Sequence, residues 1–546
     1  MKKTLLILSL LSFFQLSAQE NITTKQWQQD VRFLKKTVNE KYPFLFKKVT
    51  ADDFNASADE LYKQIPKLQE HEVIVGLSRL VSLFKYGHSY VSFHQKPFEF
   101  SGLPFRIYQF NDGVYIQGTH KNYPKAVGAK VIAVEGKPIS EVLKAIEPTV
   151  EAENSQYFKA YGINNIRYPE ILHAQGITDN LQSTITLTLE KNGRQFQQSF
   201  IVLPNKKRIP LTYRFVQQKN DWLSARNQDK TPLYLKNLDK IYFYEYLPKQ
   251  KAVYVRHSRI RDDKSESIEA FYKRVFEFIE NNDVEKLILD VRLNGGGNNY
   301  LLKPIITGII ETKKINQEGK LFVILGRNTF SACQNLVNRL DSYTNAIFVG
   351  EPTSENVNFY GDASAVELPN SKLKVQLSFA WWQDKAPWEN DPWLAPQLSV
   401  DMNFNQYKNN EDPVLDAIFN FNPEGYILRP MEYIRTLFMK GDMQVLQKEV
   451  IKMAQDPRYK FFDFERKFID TGNLLLQQGQ YQPAIGIFSL VTQLFPNSAN
   501  AYKSLGEAYL KIGDKEKAKA LLNKSISIDS VGEVGKLAMK TLNTIK

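Results

Sequence analysis

Apolar side chains recur at helical spacing near the start of the chain. Trp27, Val31, Leu34 and Val38 follow at steps of four, three and four residues, which lines one face of a helix. Pro43 breaks that run. The pattern predicts a second helix over 52–64 and a third over 72–83. At Tyr86 the period changes to two, and Tyr90 and Ser92 read as a strand. Residues 100–200 read as short strands with turns; 130–134 is a strand, Glu135-Gly136 a turn, and a short helix starts at Ser140. Over 251–350 strands and helices alternate. Strands are predicted at 252–256, 287–291, 321–325 and 346–349, and helices at 268–279, from about Tyr300, and at 331–341. Such alternation implies parallel crossovers and an α/β layer structure. Paired strands follow at 365–368 and 373–379.

The two ends are different in kind. Residues 1–18 combine Lys2 and Lys3, an apolar run from Leu5 to Leu16 and the small-residue site Leu16-Ser17-Ala18. This is the pattern of a secretory signal peptide with Gln19 as the mature N-terminus. The expected location is therefore periplasmic or extracellular, in a bacterial envelope. No cysteine follows the apolar run, so no lipid anchor is expected, and no later run is long enough to span a membrane. At the other end Gly479 and Gly513 lie 34 residues apart, as do Ala484 and Ala518; Phe488 corresponds to Leu522 and Gly472 to Gly506. That period resembles tetratricopeptide repeats. Two units fall at about 465–498 and 499–532, with 433–458 as a degenerate first unit and the tail as a cap. Such repeats either form a groove for a protein partner or pack as a stabilising appendage.

Composition narrows the options. The 546 residues carry 71 Lys+Arg against 59 Asp+Glu, a net charge of +12, spread thinly along the chain. A nucleic-acid partner is not expected from that distribution. The single cysteine, Cys333, excludes an intramolecular disulfide and a multi-cysteine zinc site, and it reads as a packing residue.

Two loops follow buried strands at the ends where open α/β sheets place ligands. The first is Asp290-Val291-Arg292-Leu293-Asn294-Gly295-Gly296-Gly297-Asn298, whose glycines expose backbone N–H groups. Asp290 and Arg292 read as its brace. The second, Gly326 to Cys333, brings Ser331 to a strand-to-helix turn. There the helix N-terminus favours a nucleophile and the oxyanion it creates. Neither loop matches a nucleotide-binding pattern.

Together the glycine loop, GRNTFSACQ and VGEPT resemble the tail-specific (C-terminal-processing) serine protease family. The likeness is firm over 251–400 and weaker toward the N-terminal helices. The resemblance implies a crotonase/Clp-like ββα core with Ser331 as nucleophile, and an oxyanion hole from Ala332 N–H and Gly295 or Gly296. One branch of the family uses a lysine base after the serine; Asn356 stands at that position here and cannot take a proton. The tricorn-like branch uses a histidine from the N-terminal segment, and Tyr86-Gly87-His88-Ser89 supplies His88, with Ser89 as a possible relay. That branch orients the histidine with a glutamate, which maps to Glu389; Glu351 and Asp391 are substitutes. Gln397 replaces an aspartate of the family pattern. Trp381, Trp382, Trp388 and Trp393 gather near Glu389, as a peptide pocket or as loop packing.

The expected architecture is multidomain α/β: a signal peptide (1–18), an N-terminal helical segment (19–99), a small β-rich PDZ-like domain (100–205), the ββα protease core (206–430) and C-terminal α-helical repeats (431–546). The PDZ likeness rests on the strand-turn-strand-helix around Gly128-Ala129. The expected activity is hydrolysis of a peptide or protein substrate by Ser331, His88 and Glu389, with neither cofactor nor metal. The alternative is an inactive peptide- or partner-binding envelope protein.

Overall fold

The computed structural model describes residues 22–203 and 209–545. The expected signal segment lies outside these residues. Three helices come first: Thr24–Lys41, Ala51–Gln64 and Glu70–Ser82. Thr23 and Gln26 cap the first reciprocally, and the Thr50 hydroxyl accepts the Asp53 N–H at the second. The helices bury Trp27, Val31, Leu34, Val38, Phe54 and Leu61. The same core continues through Phe105, Ile107, Val131 and Leu187 of the β-rich segment, so 99/100 does not divide two interiors.

That segment forms a largely antiparallel sheet in the order Trp222–Ser224, Gly113–His120, Lys130–Val134, Thr184–Lys191, Arg194–Ile201, with Phe105–Phe110 also pairing Gly113–His120. The Glu135-Gly136 turn and the helix Ile139–Ile146 lie where the pattern placed them. Trp222–Ser224 comes from beyond residue 206, so the chain finishes the small sheet before it starts the next one.

The next sheet has six strands. Tyr242–Leu247 runs antiparallel to Ala252–His257. Ala252–His257, Lys286–Asp290, Leu321–Leu325, Ile347–Gly350 and Leu398–Ser399 then run parallel in chain order. Right-handed crossovers between successive neighbours place the connecting helices on one face. There Ile268–Asn281, Lys303–Glu311 and Ala332–Tyr343 cover Val253, Val255, Leu287, Leu289 and Val323. The opposite face, with Tyr254, Ile288, Phe322, Ile324 and Val349, shares a core with Val414, Leu415 and Ile418 and, beyond them, the C-terminal repeats. Both faces are covered, which is why these strands read as continuous apolar runs.

A long hairpin, Asn358–Glu367 with Lys374–Gln383, extends from this sheet's carboxyl edge. Its second strand pairs with Tyr90–Val91, which anchors the chain just after His88.

The repeats form helix pairs Pro430–Lys440 with Met443–Gln455, Phe464–Gln477 with Tyr481–Leu494, and Ala499–Lys511 with Lys515–Ile528; Glu533–Asn543 packs last. Gly441, Gly479 and Gly513 take φ of 76°, 73° and 85° between the helices of each pair, a conformation that favours glycine. No helix among the described residues is long and apolar enough to cross a membrane.

Candidate active site

Ser331 sits between the strand Leu321–Leu325 and the helix Ala332–Tyr343, with φ 57° and ψ −130°. For a non-glycine residue this is strained, at a cost of about 1–3 kcal/mol, and such strain concentrates where a side chain must be presented. The neighbouring backbone holds the turn. Cys333 N–H donates to the Phe330 carbonyl at 3.1 Å, and Gln334 and Asn335 N–H donate to the Ser331 carbonyl at 2.7 and 3.2 Å. Ser331 N–H donates to Glu355 Oε2. From Ser331 to Asn335, Ala332 alone donates to no protein acceptor among the described residues.

The glycine loop packs directly on this turn. A Cβ on Gly296 would lie 2.6 Å from Ser331 Cβ and 2.8 Å from Ala332 N, and its φ is +89°. Only glycine fits there. Gly296 N–H already donates to Asn294 Oδ1 at 2.9 Å. Gly295 N–H has no protein acceptor among the described residues, and neither has Gly297 N–H, so Gly295 and Ala332 are among the open donors of the two loops. Asp290 and Arg292 brace the loop from below. Arg292 Nε donates to Asp290 Oδ1 at 3.0 Å, and the guanidinium grips Asp412 through two bonds of 2.9 and 3.0 Å.

His88 reaches Ser331 from a turn 243 residues earlier: Nε2 lies 3.1 Å from Oγ. Its ring stacks on Phe330, with centroids 4.7 Å apart, and lies nearly parallel to Phe359. Nδ1 lies 3.3 Å from Glu355 Oε1. The two atoms are off the line of a hydrogen bond and have no other partner, so a small swing of either side chain completes the bond. Glu355 is fully buried. Burial pushes its pKa well above the usual carboxylate value, while the Ser331 N–H and Lys48 draw it down. Burial also holds His88 below the ordinary histidine value, against nearby Glu153, Asp362 and Glu151. Each group resists charge alone, and charge on one favours charge on the other.

The structure corrects two sequence assignments. Glu389 is exposed on the loop after the hairpin; its N–H donates to the Ala386 carbonyl and its carbonyl accepts from Asn358. The carboxylate that faces His88 is Glu355. The substitutes are also committed elsewhere, Glu351 to Arg327 and Asp391 to Lys467. Ser89 is no relay: its hydroxyl bonds Ser378 Oγ at 2.9 Å and accepts Ser378 N–H at 3.0 Å, pinning the turn to the hairpin.

Two further glutamates hold this arrangement. Glu153 accepts Gly87 N–H at 2.8 Å, Asn356 N–H at 3.1 Å and the Asn356 side-chain amide. One carboxylate thereby ties the loop of His88 to the loop of Glu355. Burial and the nearby Glu355 raise its pKa to about 7, with Lys48 opposing. Tyr157 Oη lies 3.0 Å from the Gly87 carbonyl and 2.7 Å from Glu151 Oε1. A phenol has one proton, so both contacts are satisfied when Glu151 is protonated. Burial pushes Glu151 up to about 7. No motif marks either residue. Glu355 carried one signal, an acid directly before Asn356 in the otherwise uncharged stretch 352–361.

A tetratricopeptide repeat family model matches residues 475–530. No curated protein sequence matches the chain. Among solved structures the chain is similar to mature CPAF complexed with lactacystin, at 13% identity and TM-score 0.47, over 72% of this chain and 98% of that one. It is similar to the photosystem II D1 C-terminal processing protease at 13% identity and TM-score 0.32, over 69% and 93% of the two chains. A putative peptidase from Parabacteroides merdae is similar at 14% identity and TM-score 0.36, over 73% and 99%. Likeness at this distance does not assign chemistry, which rests on the side chains described above.

Proposed function

We propose that the protein is a serine peptidase, exported by residues 1–18 to the periplasm or the cell exterior. The observation that carries this reading is Ser331 Oγ at 3.1 Å from His88 Nε2, with buried Glu355 behind the imidazole. His88 takes the Ser331 proton as Oγ attacks a peptide carbonyl, and Glu355 stabilises the imidazolium that results. The oxyanion forms beside the Ala332 and Gly295 N–H groups. His88 then passes the proton to the leaving amine, and water releases the acyl group by the reverse sequence. Each step uses groups on this chain. The helical repeats offer a surface for a protein partner.

The test compares wild type with Ser331→Ala on a peptide library read by mass spectrometry, beside labelling by a serine-reactive phosphonate. Cleavage and labelling by wild type alone support the reading. Equal labelling of the variant removes Ser331 as nucleophile, and tight peptide binding without turnover by wild type favours the inactive binding protein.

A further inference from the structure

Away from the active site, two imidazoles meet across the joint between the Glu70–Ser82 helix and the Pro169–Ala174 helix. His71 Nε2 lies 2.8 Å from His173 Nδ1, with ring centroids 5.1 Å apart. Glu72 completes a cluster whose three ligand atoms all lie within 4.8 Å of one another. We propose that His71, His173 and Glu72 form a binding site for a borderline divalent cation of the zinc class.

Four features of the site fit such an ion. Two imidazole nitrogens and one carboxylate oxygen are a donor set that suits zinc and disfavours magnesium or calcium, which take oxygen ligands. Tetrahedral zinc with bonds of about 2.0–2.1 Å separates two nitrogens by roughly 3.3 Å. The imidazoles therefore need to part by only about half an ångström, and the ion takes the place of the proton they share. The carboxylate is already held: Glu72 Oε2 accepts the Gln69 N–H at 2.7 Å. An outer hydrogen bond of this kind is how metal-binding carboxylates are fixed. His71 is buried, whereas His173 and Glu72 are half-buried, so the site has a supported inner ligand and an open side for entry and for a water as fourth ligand.

The bound ion joins segments 102 residues apart. It ties down the helix that leads into the His88 turn, at its far end from the catalytic groups. Its role is structural, holding that helix against the Pro169–Ala174 helix.

The test uses the purified protein after chelator dialysis. Zinc is titrated calorimetrically, the thermal midpoint is read with and without zinc, and cobalt supplies an absorption band that reports tetrahedral coordination. The variants are His173→Gln, Glu72→Gln and, to remove binding at the active site, His88→Ala. One zinc per chain in wild type and in His88→Ala is expected, with a raised midpoint and a tetrahedral cobalt spectrum. Glu72→Gln weakens zinc binding by at least about 10–100-fold, since loss of even an outer hydrogen-bonding partner of a metal ligand costs that much. His173→Gln abolishes the midpoint shift while its metal-free circular dichroism matches wild type. Two results overturn the proposal: no zinc binding by wild type, or undiminished binding by Glu72→Gln and His173→Gln. If His173→Gln fails to fold, Glu72→Gln alone decides.

Discussion

Replacing Glu355 by glutamine, beside the same change at Glu389, separates the two carboxylates assigned to orient His88. Glu355 Oε1 lies 3.3 Å from His88 Nδ1. At an effective dielectric of about 20, a unit charge pair at that distance interacts by about 5 kcal/mol. That is the stabilisation at stake when His88 becomes positive in the transition state. It corresponds to roughly three to four orders of magnitude in rate. Glutamine adds a second effect of the same sign. Its carbonyl oxygen can keep the Ser331 N–H, which turns the amide NH2 toward His88 Nδ1. The imidazole then carries its proton on Nε2, the atom that must accept from Ser331. The assay is kcat/KM on a cleavable peptide, with phosphonate labelling rate as a second readout. Glu355→Gln is expected to lose at least a thousandfold in both. Glu389→Gln is expected to stay within about threefold of wild type, since its exposed side chain makes no contact with His88. The reasoning is refuted if Glu355→Gln keeps more than a tenth of wild-type kcat/KM, or if Glu389→Gln falls as far.

Glu153 binds a proton in the fold near pH 7 where the unfolded chain holds it only near 4.5, so this group adds stability as pH falls through that window, up to roughly 3 kcal/mol. In Glu153→Gln that gain disappears from urea unfolding curves between pH 7.5 and 5, and kcat drops about tenfold as the two catalytic loops loosen; an unchanged pH slope would count against it. His257 has the opposite sign: burial lowers it to about 4, so stability is complete above pH 6.5 and about 3 kcal/mol is lost as pH falls through 6.5 to 4. His257→Gln should remove that acid loss in the same measurement. Ser89→Ala leaves the Ser378 N–H buried and unpaired, costing about 1–3 kcal/mol in chemical denaturation, while folded enzyme keeps kcat within tenfold; a thousandfold loss would restore Ser89 as a relay. Deleting 430–546 uncovers the core behind the parallel sheet and should yield aggregated, inactive protein, whereas a soluble active fragment would make the repeats a separable module.

Much of the central sheet was legible because its signal is local. The strand Leu321–Leu325 stands where the apolar run placed it, and the helix after Ser331 starts one residue later than read. His88 and Ser331 could be paired in advance because both lie in short motifs that resemble those of the tail-specific protease family. Glu355 could not, since counting along the chain does not reveal which way a loop turns. Residues 351–357 fold inward beneath the imidazole, while the stretch with Glu389 is held outward by Asn358. Glu153 was invisible for a related reason: its role is to receive N–H groups from two distant loops, and backbone donors leave no trace in residue identity. The boundaries at 99 and 205 rested on changes of period. Periodicity tells which face of an element is covered but not by what, and here Tyr90–Val91 and Trp222–Ser224 cross both boundaries to pair with strands on the other side.

The separation of 243 positions from His88 to Ser331 also sets a timetable for biosynthesis. A ribosome has made the base, its turn and the Glu153 clamp long before it makes the nucleophile. Glu355 and the hairpin strand that receives Tyr90–Val91 come later still. A nascent or unfolded chain therefore holds no fragment in which the base faces the nucleophile. Catalytic competence arrives only when the ends of a long excursion close on one another, after synthesis has passed residue 383. Under the proposed function, a chain exported unfolded carries its chemistry disassembled and assembles it only at its destination.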